Sequence, residues 1–413
     1  MLIKMQHVLY GDGIHDDTAA LQEMIDESAH ELVLEAPKVC YLISGALELP
    51  SNFRLVLPRF AEIKLADGSN CLMLRNKAYN KSGKIIETCF PDHTGGMHVH
   101  NNDEFDMSEN IEVMGGIWNY NNMGQRKNPI HFDHDDLPYY TGTAFFFFGV
   151  RNLRISNLTI KDPVTYAATF DTISYFTIEN IIFDFNYGNP RPANMDGIHL
   201  NGNCHFGVFR NLKGTCYDDL IALNADEGSD GPITNIEIDG LFAEDCHSAV
   251  RMLTVKHPLE NVHISNVYGT YYQYCIALSK CYAGDALGYY DGISLDHIYA
   301  SKAERHTVYC KDGSYVYAII WVEPYINVKS LSIKELYRKE YNTPVETILI
   351  GEDANVDLLT VDRVSSENHT GEPMPLILNK GKVKRFVLGT TDVRSGDEVL
   401  ENMGTIEKQI NMG

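Results

Sequence analysis

Ile236-Glu237-Ile238-Asp239-Gly240-Leu241 and Val262-His263-Ile264-Ser265-Asn266-Val267 are two copies of one pattern, and this pattern decides the fold. Each copy has the order apolar, any residue, apolar, polar, Gly or Asn, apolar. Related runs begin at positions 111, 153, 176, 293 and 331. Alternation with a period of two residues predicts a strand, and its recurrence along the chain predicts stacked coils. Gly or Asn at a fixed place predicts a turn, because both residues tolerate a left-handed backbone.

The spacing of these runs favours a β-solenoid over other folds. Neighbouring copies are separated by about one coil, as between positions 236 and 262, and larger gaps predict inserted loops or coils that the pattern misses. The leucine spacing of a leucine-rich repeat is absent. No long amphipathic helix lies between the runs, which argues against a doubly wound sheet. We therefore predict an all-β fold, a single-stranded parallel β-helix.

A helical cap is predicted at the start of a single domain that covers residues 1–413. Leu21 and Ile25 recur at helical spacing and predict a helix over residues 16–29. An open end of a solenoid needs such a cap. We assign residues 1–31 to this cap segment.

Two segments interrupt the repeat and are predicted to form inserted loops beside a cleft. They are residues 76–109 and residues 118–142. The second contains Trp118, whose ring suits the face of a sugar, with packing of the loop as the alternative. It also contains His131-Phe132-Asp133-His134-Asp135-Asp136, which fits three interpretations: metal ligands, a solvated loop or part of the cleft wall. We expect no metal, because one short polar run rarely supplies ligands from several directions.

Composition and charge exclude several classes of partner. The chain has 413 residues, 44% of them hydrophobic, and a formal net charge of −22. This charge argues against a nucleic-acid partner and against anionic membranes.

Residues 144–150, the longest apolar stretch, are too few to span a bilayer. Residues 1–7 lack a signal-peptide core, and the nine cysteines lack metal-like spacing. We expect a cytoplasmic protein, or a secreted one if a signal peptide was removed; a homo-oligomer stays open.

Three carboxylates are expected to meet at one edge of the solenoid. Asp196 precedes a short apolar run at 198–200, while Asp218 and Asp219 precede another at 221–223. If these runs are neighbouring strands, roughly 4.8 Å apart, the acids lie at the same edge. Crowding of like charges separates their pKa values and makes one group an acid and another a base.

Four aligned runs predict which side chains surround the acids. In each run the first and third residues are apolar and face the core, so the middle residue faces outward. The outward row is then His199, Ala222, Arg251 and Ala277. A small alanine beside an arginine and three acids predicts a notch of the size of a sugar ring. For His199 alone, an ordinary surface histidine is the alternative, and for the three acids together the alternative is a structural ladder of turn residues.

The segments around the acids resemble two signatures of glycoside hydrolase family 28, the polygalacturonase-like enzymes. Asn194-Met195-Asp196-Gly197 is similar to Asn-Thr-Asp-Gly, and Tyr217-Asp218-Asp219-Leu220-Ile221-Ala222-Leu223 to Gly-Asp-Asp-Cys-Ile-Ala-Ile. The resemblance implies a right-handed β-helix of the pectin lyase-like superfamily, a carbohydrate substrate and no cofactor. It implies that Asp218 is the general acid and that Asp196 and Asp219 activate water. His247 keeps the place of the family histidine that lies near the acid.

The family's Arg-Ile-Lys motif, which binds the uronate carboxylate, is missing. Ala277 and Ser279 stand in place of its cations, and Lys280 comes one position later. Arg251 from the previous coil is a substitute cation. We therefore expect a neutral or differently charged glycoside instead of galacturonan. The substrate-binding candidates are Asn194, His199, Arg251, Lys280 and Trp118, and the catalytic candidates are Asp196, Asp218, Asp219 and His247.

These features predict an inverting glycoside hydrolase, exo-acting if it is cytoplasmic. Inverting enzymes hold acid and base about 6.5–9.5 Å apart, a separation that adjacent coils can supply. Two alternatives stay open. One is a β-helix polysaccharide lyase, with Arg251 or Lys280 as base, or a transglycosylase. The other is a non-catalytic glycan-binding protein of the adhesin or tailspike type.

Overall fold

Parallel strands wound in successive coils make up nearly all of the structure. The structure is a computed structural model and describes residues 7–78, 105–128, 140, 142–280, 287–304 and 316–412. In these ranges the strands pair in parallel and form two long sheets, and the only α-helix is α1 (Thr18–Glu27). The predicted right-handed parallel β-helix is therefore confirmed.

The strands, in chain order, have the following bounds. They are β1 (Glu31–Val33), β2 (Tyr41–Ile43), β3 (Leu47–Leu49), β4 (Phe53–Val56), β5 (Glu62–Leu65), β6 (Leu74–Asn76), β7 (Ser108–Met114), β8 (Ile117–Asn119), β9 (Phe145–Phe148), β10 (Val150–Ser156), β11 (Thr159–Lys161), β12 (Ala168–Asp171), β13 (Ser174–Glu179), β14 (Ile182–Asp184), β15 (Ile198–Leu200), β16 (Cys204–Gly214), β17 (Asp219–Asn224), β18 (Ile233–Cys246), β19 (Ser248–Leu253), β20 (Leu259–Tyr271), β21 (Ile276–Ser279), β22 (Tyr289–Lys302), β23 (Ile320–Val322), β24 (Asn327–Glu340), β25 (Ile348–Ile350), β26 (Asn355–Asn368), β27 (Ile377–Asn379), β28 (Lys382–Leu388), β29 (Thr391–Val393), β30 (Leu400–Asn402) and β31 (Thr405–Asn411). A 3₁₀ turn covers Asn122–Gly124.

The second sheet carries one short strand from each coil. It consists of β3, β6, β9, β12, β15, β17, β19, β21, β23, β25, β27 and β30, and all other strands belong to the first sheet. Both sheets enclose one continuous core of buried apolar side chains. The second sheet is the one that matters for function, because the runs around Asp196 and Asp219 are its strands β15 and β17.

The repeats predicted from the sequence stack in register. Ile236 of β18 pairs with Val262 of β20, which pairs with Ile293 of β22, and Ile293 pairs with Leu331 of β24. Each of these residues is buried. The alternation along the sequence therefore reports the inner and outer faces of the solenoid, as predicted.

The wide gap between the runs at 176 and 236 contains a coil that the pattern missed. Gly207 of β16 pairs with Phe176 of β13 on one side and with Ile236 on the other. A Cβ atom at Gly207 would lie 1.9 Å from the Phe176 ring, so only glycine fits there. The Phe176 ring thus fills the space that an apolar side chain at position 207 of the next coil would otherwise occupy.

Left-handed residues mark the place where the first sheet bends. Asn180, Asn211 and Asn266 have φ angles of 55°, 55° and 56°, and Gly240 has a φ of 82°. From β16 to β26 single long strands run through this bend, whereas earlier coils use separate strands such as β13 and β14, and the later β28 and β29 are separate again. The amide of Asn211 donates to the side-chain oxygen of Asn180 at 2.6 Å, which links successive coils. The turn position predicted from the sequence is confirmed.

The predicted cap is also present. Helix α1 lies within residues 16–29 and buries Ala20, Leu21 and Ile25 against the first coils. The buried carboxylate of Asp17 accepts hydrogen bonds from the backbone N–H groups of Tyr10 and Gly11, which fixes the segment before the helix. In the described ranges, no helix combines the length and apolar character needed to cross a bilayer.

Trp118 corrects one expectation. It lies in β8 with none of its surface exposed, packs edge-to-face on Phe145 at 4.9 Å and donates its indole N–H to the Gly115 carbonyl. It is a core residue and has no exposed surface to offer a sugar. The loop assigned to 118–142 thus begins with a strand of the sheet, and the run 131–136 lies outside the described residues, as do residues 79–104.

Candidate active site

The outward row predicted from the sequence is confirmed by the register of the second sheet. His199 pairs with Ala222, Ala222 with Arg251, and Arg251 with Ala277. The row continues from Ala277 to Trp321 of β23. Because each member belongs to the next coil, neighbours in the row are roughly 4.8 Å apart.

Three carboxylates meet at the edge of the sheet where β15 and β17 begin. Asp196 lies in the turn before β15, Asp218 precedes β17, and Asp219 is its first residue. One oxygen from each carboxylate lies within 4.8 Å of the other two. The predicted convergence is present, and it is tighter than the separation expected for an inverting acid–base pair.

Backbone contacts keep the coils of β15 and β17 close together at this edge. The N–H of Gly197 donates to the Asp219 carbonyl of the next coil at 3.0 Å. A Cβ atom at Gly197 would lie 2.6 Å from the Leu220 carbonyl oxygen, so a side chain cannot fit between the coils. Glycine after Asp196 is therefore what lets the two coils approach and bring their acids together.

Asp218 has the environment of a general acid. Its side chain is 17% exposed, and the amide of Asn194 lies 3.5 Å from its Oδ2. Burial raises the pKa of Asp218 well above its ordinary value, and the charges of Asp196 and Asp219 raise it further. A carboxyl group whose pKa is raised in this way is a candidate proton donor to a substrate.

Asp219 is the member of the trio that faces a cation. The Nε of Arg251 lies 3.0 Å from its Oδ2, and the hydroxyl of Ser248 donates to its Oδ1. The hydroxyl of Tyr274 lies 3.5 Å from the same Oδ1. Arg251, expected from the sequence to contact substrate, therefore contacts a catalytic candidate directly and keeps a partly exposed side chain.

Asp196 is held by a buried chain of charged groups. Its Oδ2 lies 2.8 Å from Nδ1 of His199, and Nε2 of His199 lies 2.8 Å from a carboxylate oxygen of Glu227. Burial raises the pKa of Asp196 to about 6, and the hydrogen bond from His199 opposes the rise. The other oxygen, Oδ1, is buried and has no hydrogen-bond partner in the described part of the chain. That oxygen is available to bind a water molecule or a substrate hydroxyl.

His199 corrects a second expectation. It faces outward from the sheet as predicted, but it is only 4% exposed, because the ring of Tyr166 stacks on it at 3.9 Å. Burial lowers the pKa of His199, yet the hydrogen bonds to Asp196 and Glu227 outweigh this and raise it to about 9. His199 is therefore a positioning imidazolium for Asp196, with both ring nitrogens engaged, and not a surface for sugar.

His247 lies beside the acid, as the resemblance implies. Its Nε2 is 3.9 Å from Oδ1 of Asp218 and 2.6 Å from the side-chain oxygen of Gln273. Burial lowers the pKa of His247 to about 4, so the ring is neutral over most of the pH range. A neutral ring adds no charge that would force Asp218 to ionise.

The described contacts of Lys280 and Ser279 differ from the contacts expected of the two cations in the family's Arg-Ile-Lys motif. The ammonium of Lys280 lies 6.0 Å from the centre of the Tyr325 ring, and its backbone N–H donates to Glu323. Ser279 is buried and donates its hydroxyl to the Met252 carbonyl. Of the cations considered from the sequence, Arg251 is the one with a described contact to the carboxylate trio.

Several residues of the site were not found from the sequence. Glu227 and Tyr166 lie in turns whose path no local pattern reveals. Trp321 could have been found, because extending the alignment of short runs by one coil gives Ile320-Trp321-Val322. Tyr274, just before β21, had no comparable signal.

A second acidic group lies after the site strands. Oxygen and nitrogen atoms of Asp226, Asp230 and His257 come within 4.8 Å of one another. The carboxylate of Asp226 accepts hydrogen bonds from the backbone N–H groups of Lys256 and His257, and it lies 2.7 Å from the His257 ring. These bonds tie the loop after β19 to the turn after β17, which is a structural role.

Comparisons with known proteins agree on the fold. No family model matches the chain, and no curated protein matches its sequence. Solved structures do match. The family 28 exopolygalacturonase of Yersinia enterocolitica has a TM-score of 0.57 at 13% identity, covering 98% of this chain and 76% of that one.

Two further solved structures match over nearly the whole chain. The tailspike protein of Escherichia coli bacteriophage HK620, as a double mutant, has a TM-score of 0.58 at 12% identity, covering 97% of this chain and 76% of that one. The A-module of the Azotobacter vinelandii mannuronan C-5 epimerase AlgE4 has a TM-score of 0.55 at 14% identity, covering 98% of both. The chain thus has a parallel β-helix fold, shared with proteins named as an exopolygalacturonase, a tailspike protein and an epimerase.

Proposed function

We propose that this protein is a glycoside hydrolase and that the carboxylate trio is its catalytic centre. The observation that carries the proposal is the set of three carboxylates, with oxygens within 4.8 Å of one another, placed in unlike environments. Burial and the neighbouring charges raise the pKa of Asp218 well above its ordinary value, while Asp219 faces Arg251. Separated protonation states among crowded carboxylates are what acid–base catalysis needs. That the solved structures with this fold include an exopolygalacturonase supports the same class of reaction.

In the proposed reaction, Asp218 donates its proton to the glycosidic oxygen as the bond from that oxygen to the anomeric carbon breaks. A water molecule held by Asp196 and Asp219 attacks the anomeric carbon and gives up a proton to one of these carboxylates. Oδ1 of Asp196 is the oxygen best placed to hold this water, since it has no other partner in the described residues. The products are a sugar with a free anomeric hydroxyl and a free alcohol.

The short distances between the three carboxylates bear on whether hydrolysis inverts the configuration of the anomeric carbon. A water with hydrogen bonds of about 2.8 Å to two carboxylate oxygens can bridge oxygens at the separation found here. Direct attack by such a water inverts the anomeric carbon. The nearest oxygens are closer than the about 6.5–9.5 Å typical of inverting enzymes, so the anomer first released, followed by NMR, is the direct test of inversion.

The proposed substrate is a neutral glycoside. A net charge of −22 repels a polyanion at long range, although about 10 Å of screening at 0.1 M salt weakens the effect. At contact range Ala277 and Ser279 supply no cation for a uronate, and Arg251 already pairs with Asp219. We therefore propose that neutral galactosides or rhamnosides bind better than galacturonan.

The test is a glycan panel with two readouts, performed on the wild-type protein and on Asp218→Asn. New reducing ends without ultraviolet-absorbing unsaturated products support hydrolysis, and their loss in Asp218→Asn supports the acid. Unsaturated products would instead indicate a lyase. Binding without any product from either protein would indicate a glycan-binding protein of the tailspike type.

A further inference from the structure

Gln273 lies one coil beyond His247 and contacts its ring beside the proposed acid. Nε2 of His247 is 2.6 Å from the side-chain oxygen of Gln273 and 3.9 Å from Oδ1 of Asp218. An amide oxygen can only accept a hydrogen bond, so Nε2 of His247 carries a proton and donates it to Gln273. The distance from Nε2 to Asp218 is too long for a hydrogen bond. The ring N–H thus faces two acceptors and is bonded to the one that is not the acid.

Hydrogen bonds from three directions fix the backbone of Gln273. Its N–H donates to the His247 carbonyl at 3.1 Å, which joins the two coils. Its carbonyl accepts the N–H of Tyr317 at 2.8 Å and the ammonium of Lys302 at 2.8 Å. Lys302 is buried, and its ammonium also donates to the Tyr317 carbonyl at 3.0 Å. The amide of Gln273 is therefore carried by a well-anchored backbone, which sets its distance from the His247 ring.

The ring of His247 is neutral although charged groups surround it. Besides the proposed acid, the charges that act on the ring are those of Asp219, Arg251 and Lys302, which come from three different coils. Burial lowers the pKa of His247 to about 4, and the two cations lower it as well, while Asp219 and the hydrogen bond with Gln273 oppose them. Near neutral pH the ring is therefore uncharged and acts on its neighbours through its N–H group.

The direction of this N–H matters for a proton donor. A hydrogen bond to a carboxylate favours its ionised form and lowers its pKa. Burial and the charges of Asp196 and Asp219 raise the pKa of Asp218, and a donor on its Oδ1 would oppose that rise. A turn of the His247 N–H toward Asp218 would therefore promote loss of the proton that the proposed reaction needs.

We propose that Gln273 is a positioning residue: it accepts the Nε2–H of His247 and so keeps this donor from stabilising the ionised form of Asp218. The proposal deepens the proposed function and rests on it for the role of Asp218 as the acid. Gln273 acts through His247 and contacts no reacting atom itself.

The first experiment follows the titration of Asp218 by NMR and needs no substrate. The protein carries ¹³C-labelled aspartate carboxyl groups, and the Asp218 signal is assigned by its loss in Asp218→Asn. Gln273→Leu removes the acceptor at similar side-chain volume, so the ring N–H becomes available to Asp218. The pKa of Asp218 should then fall by roughly one to two units, the effect of one hydrogen bond to a charged group. An unchanged or higher pKa of Asp218 overturns the proposal.

A second variant tests the contact between Gln273 and the ring directly. Gln273→Glu keeps an acceptor and places a negative charge beside His247. The pKa of His247, about 4 in the wild-type protein, should rise by roughly one to two units in ¹⁵N-histidine spectra, where the signal is assigned by its loss in His247→Gln. No rise overturns the proposal, even if Gln273→Leu does not fold.

Thr215→Ala is the matched control for a general loosening of the coils. The hydroxyl of Thr215 donates to the Glu244 carbonyl of the next coil at 2.6 Å, so this change also removes one hydrogen bond between coils but leaves the Gln273–His247 pair in place. Both titrations should be those of the wild-type protein. A fall of the Asp218 pKa as large as that in Gln273→Leu would show that loosening alone is the cause, and would overturn the proposal.

Turnover separates this proposal from the hydrolase proposal. On a confirmed substrate, the alkaline limb of the kcat/KM profile should move to lower pH in Gln273→Leu, because the acid loses its proton earlier. The expected titration shifts without turnover by the wild-type protein would keep Gln273 as the residue that positions His247 and reject the hydrolase. Turnover together with an Asp218 titration that Gln273→Leu does not move would reject the positioning role and leave the hydrolase.

Discussion

Replacing Glu227 by Gln should move the pH profile of catalysis without changing the shape of the site. Glu227 is largely buried, and its carboxylate lies 2.8 Å from Nε2 of His199. A hydrogen bond to a charged group is worth about 1.5–3 kcal/mol, and one pKa unit corresponds to about 1.36 kcal/mol. The pKa of His199, about 9 in the native protein, should therefore fall by roughly one to two units.

The lower pKa of His199 affects its partner Asp196, which must be ionised to activate water in the proposed reaction. Asp196 has a pKa of about 6 because burial raises it and His199 opposes that rise. In Glu227→Gln, His199 still carries its charge where Asp196 titrates, so the acidic limb of the kcat/KM profile should move little. His199 loses its charge roughly one to two pH units earlier on the alkaline side, so kcat/KM should begin to fall there at a lower pH, while the rate at the optimum changes less.

The assay combines a pH–rate profile with NMR titration of ¹⁵N-labelled histidine, in which the His199 signal is assigned by its loss in His199→Gln. Glu237→Gln is the matched control, since it removes the same charge from an exposed position on the first sheet. An unchanged alkaline limb together with an unchanged His199 titration would refute the reasoning. A shift of equal size in Glu237→Gln would show that only net charge matters.

Four other outcomes are expected. Asp218→Asn should abolish turnover of a confirmed substrate and leave the free energy of unfolding, measured in urea, within about 1 kcal/mol of wild type; retained activity would reject Asp218 as the acid. Trp118→Ala should cost about 3–5 kcal/mol in the same urea experiment, because it empties the core beside Phe145, and the product pattern of the folded fraction should not change. Polygalacturonate should be hydrolysed at least roughly tenfold more slowly than the best neutral glycoside, since a charge-assisted contact is worth about 1.5–3 kcal/mol; efficient hydrolysis that Arg251→Ala removes would contradict this. The folded pKa of His199 exceeds its unfolded value of about 6.5, so its contribution to stability should be full below that pH and lost as pH rises through about 9; urea unfolding across this range should show a shallower decline in Glu227→Gln.

Most of the fold could be predicted because each coil follows a local rule. Alternating apolar residues gave the faces of β18, β20 and β22, and the Asn or Gly position gave the bend. The rule was not extended to Trp118 for a local reason. Gly116 stands where the next coil has the apolar Leu158, so the run looks interrupted, although Trp118 pairs with the buried Ile160 without any shift of register.

The site was predictable only in part. The positions of Asp196, Asp218 and Asp219 follow from register alone, and register follows from the repeat. The environment of His199 does not, because Tyr166 and Glu227 reach it from turns whose conformation depends on neighbouring coils. Local sequence therefore identified which groups meet, whereas their protonation depends on contacts that only the folded structure reveals.

The spacing of the outward row also determines how the sugar units of a bound glycan would line up with the coils. Its members rise by one strand spacing per coil, roughly 4.8 Å, which is close to the length of a single pyranose ring. A glycan lying along the row would cross the strands, so each of its sugar units would contact a different coil. A substitution at one partly exposed position of the row, such as Trp321, would then change the preference for one sugar unit only, while Asp218 and its surroundings stay the same.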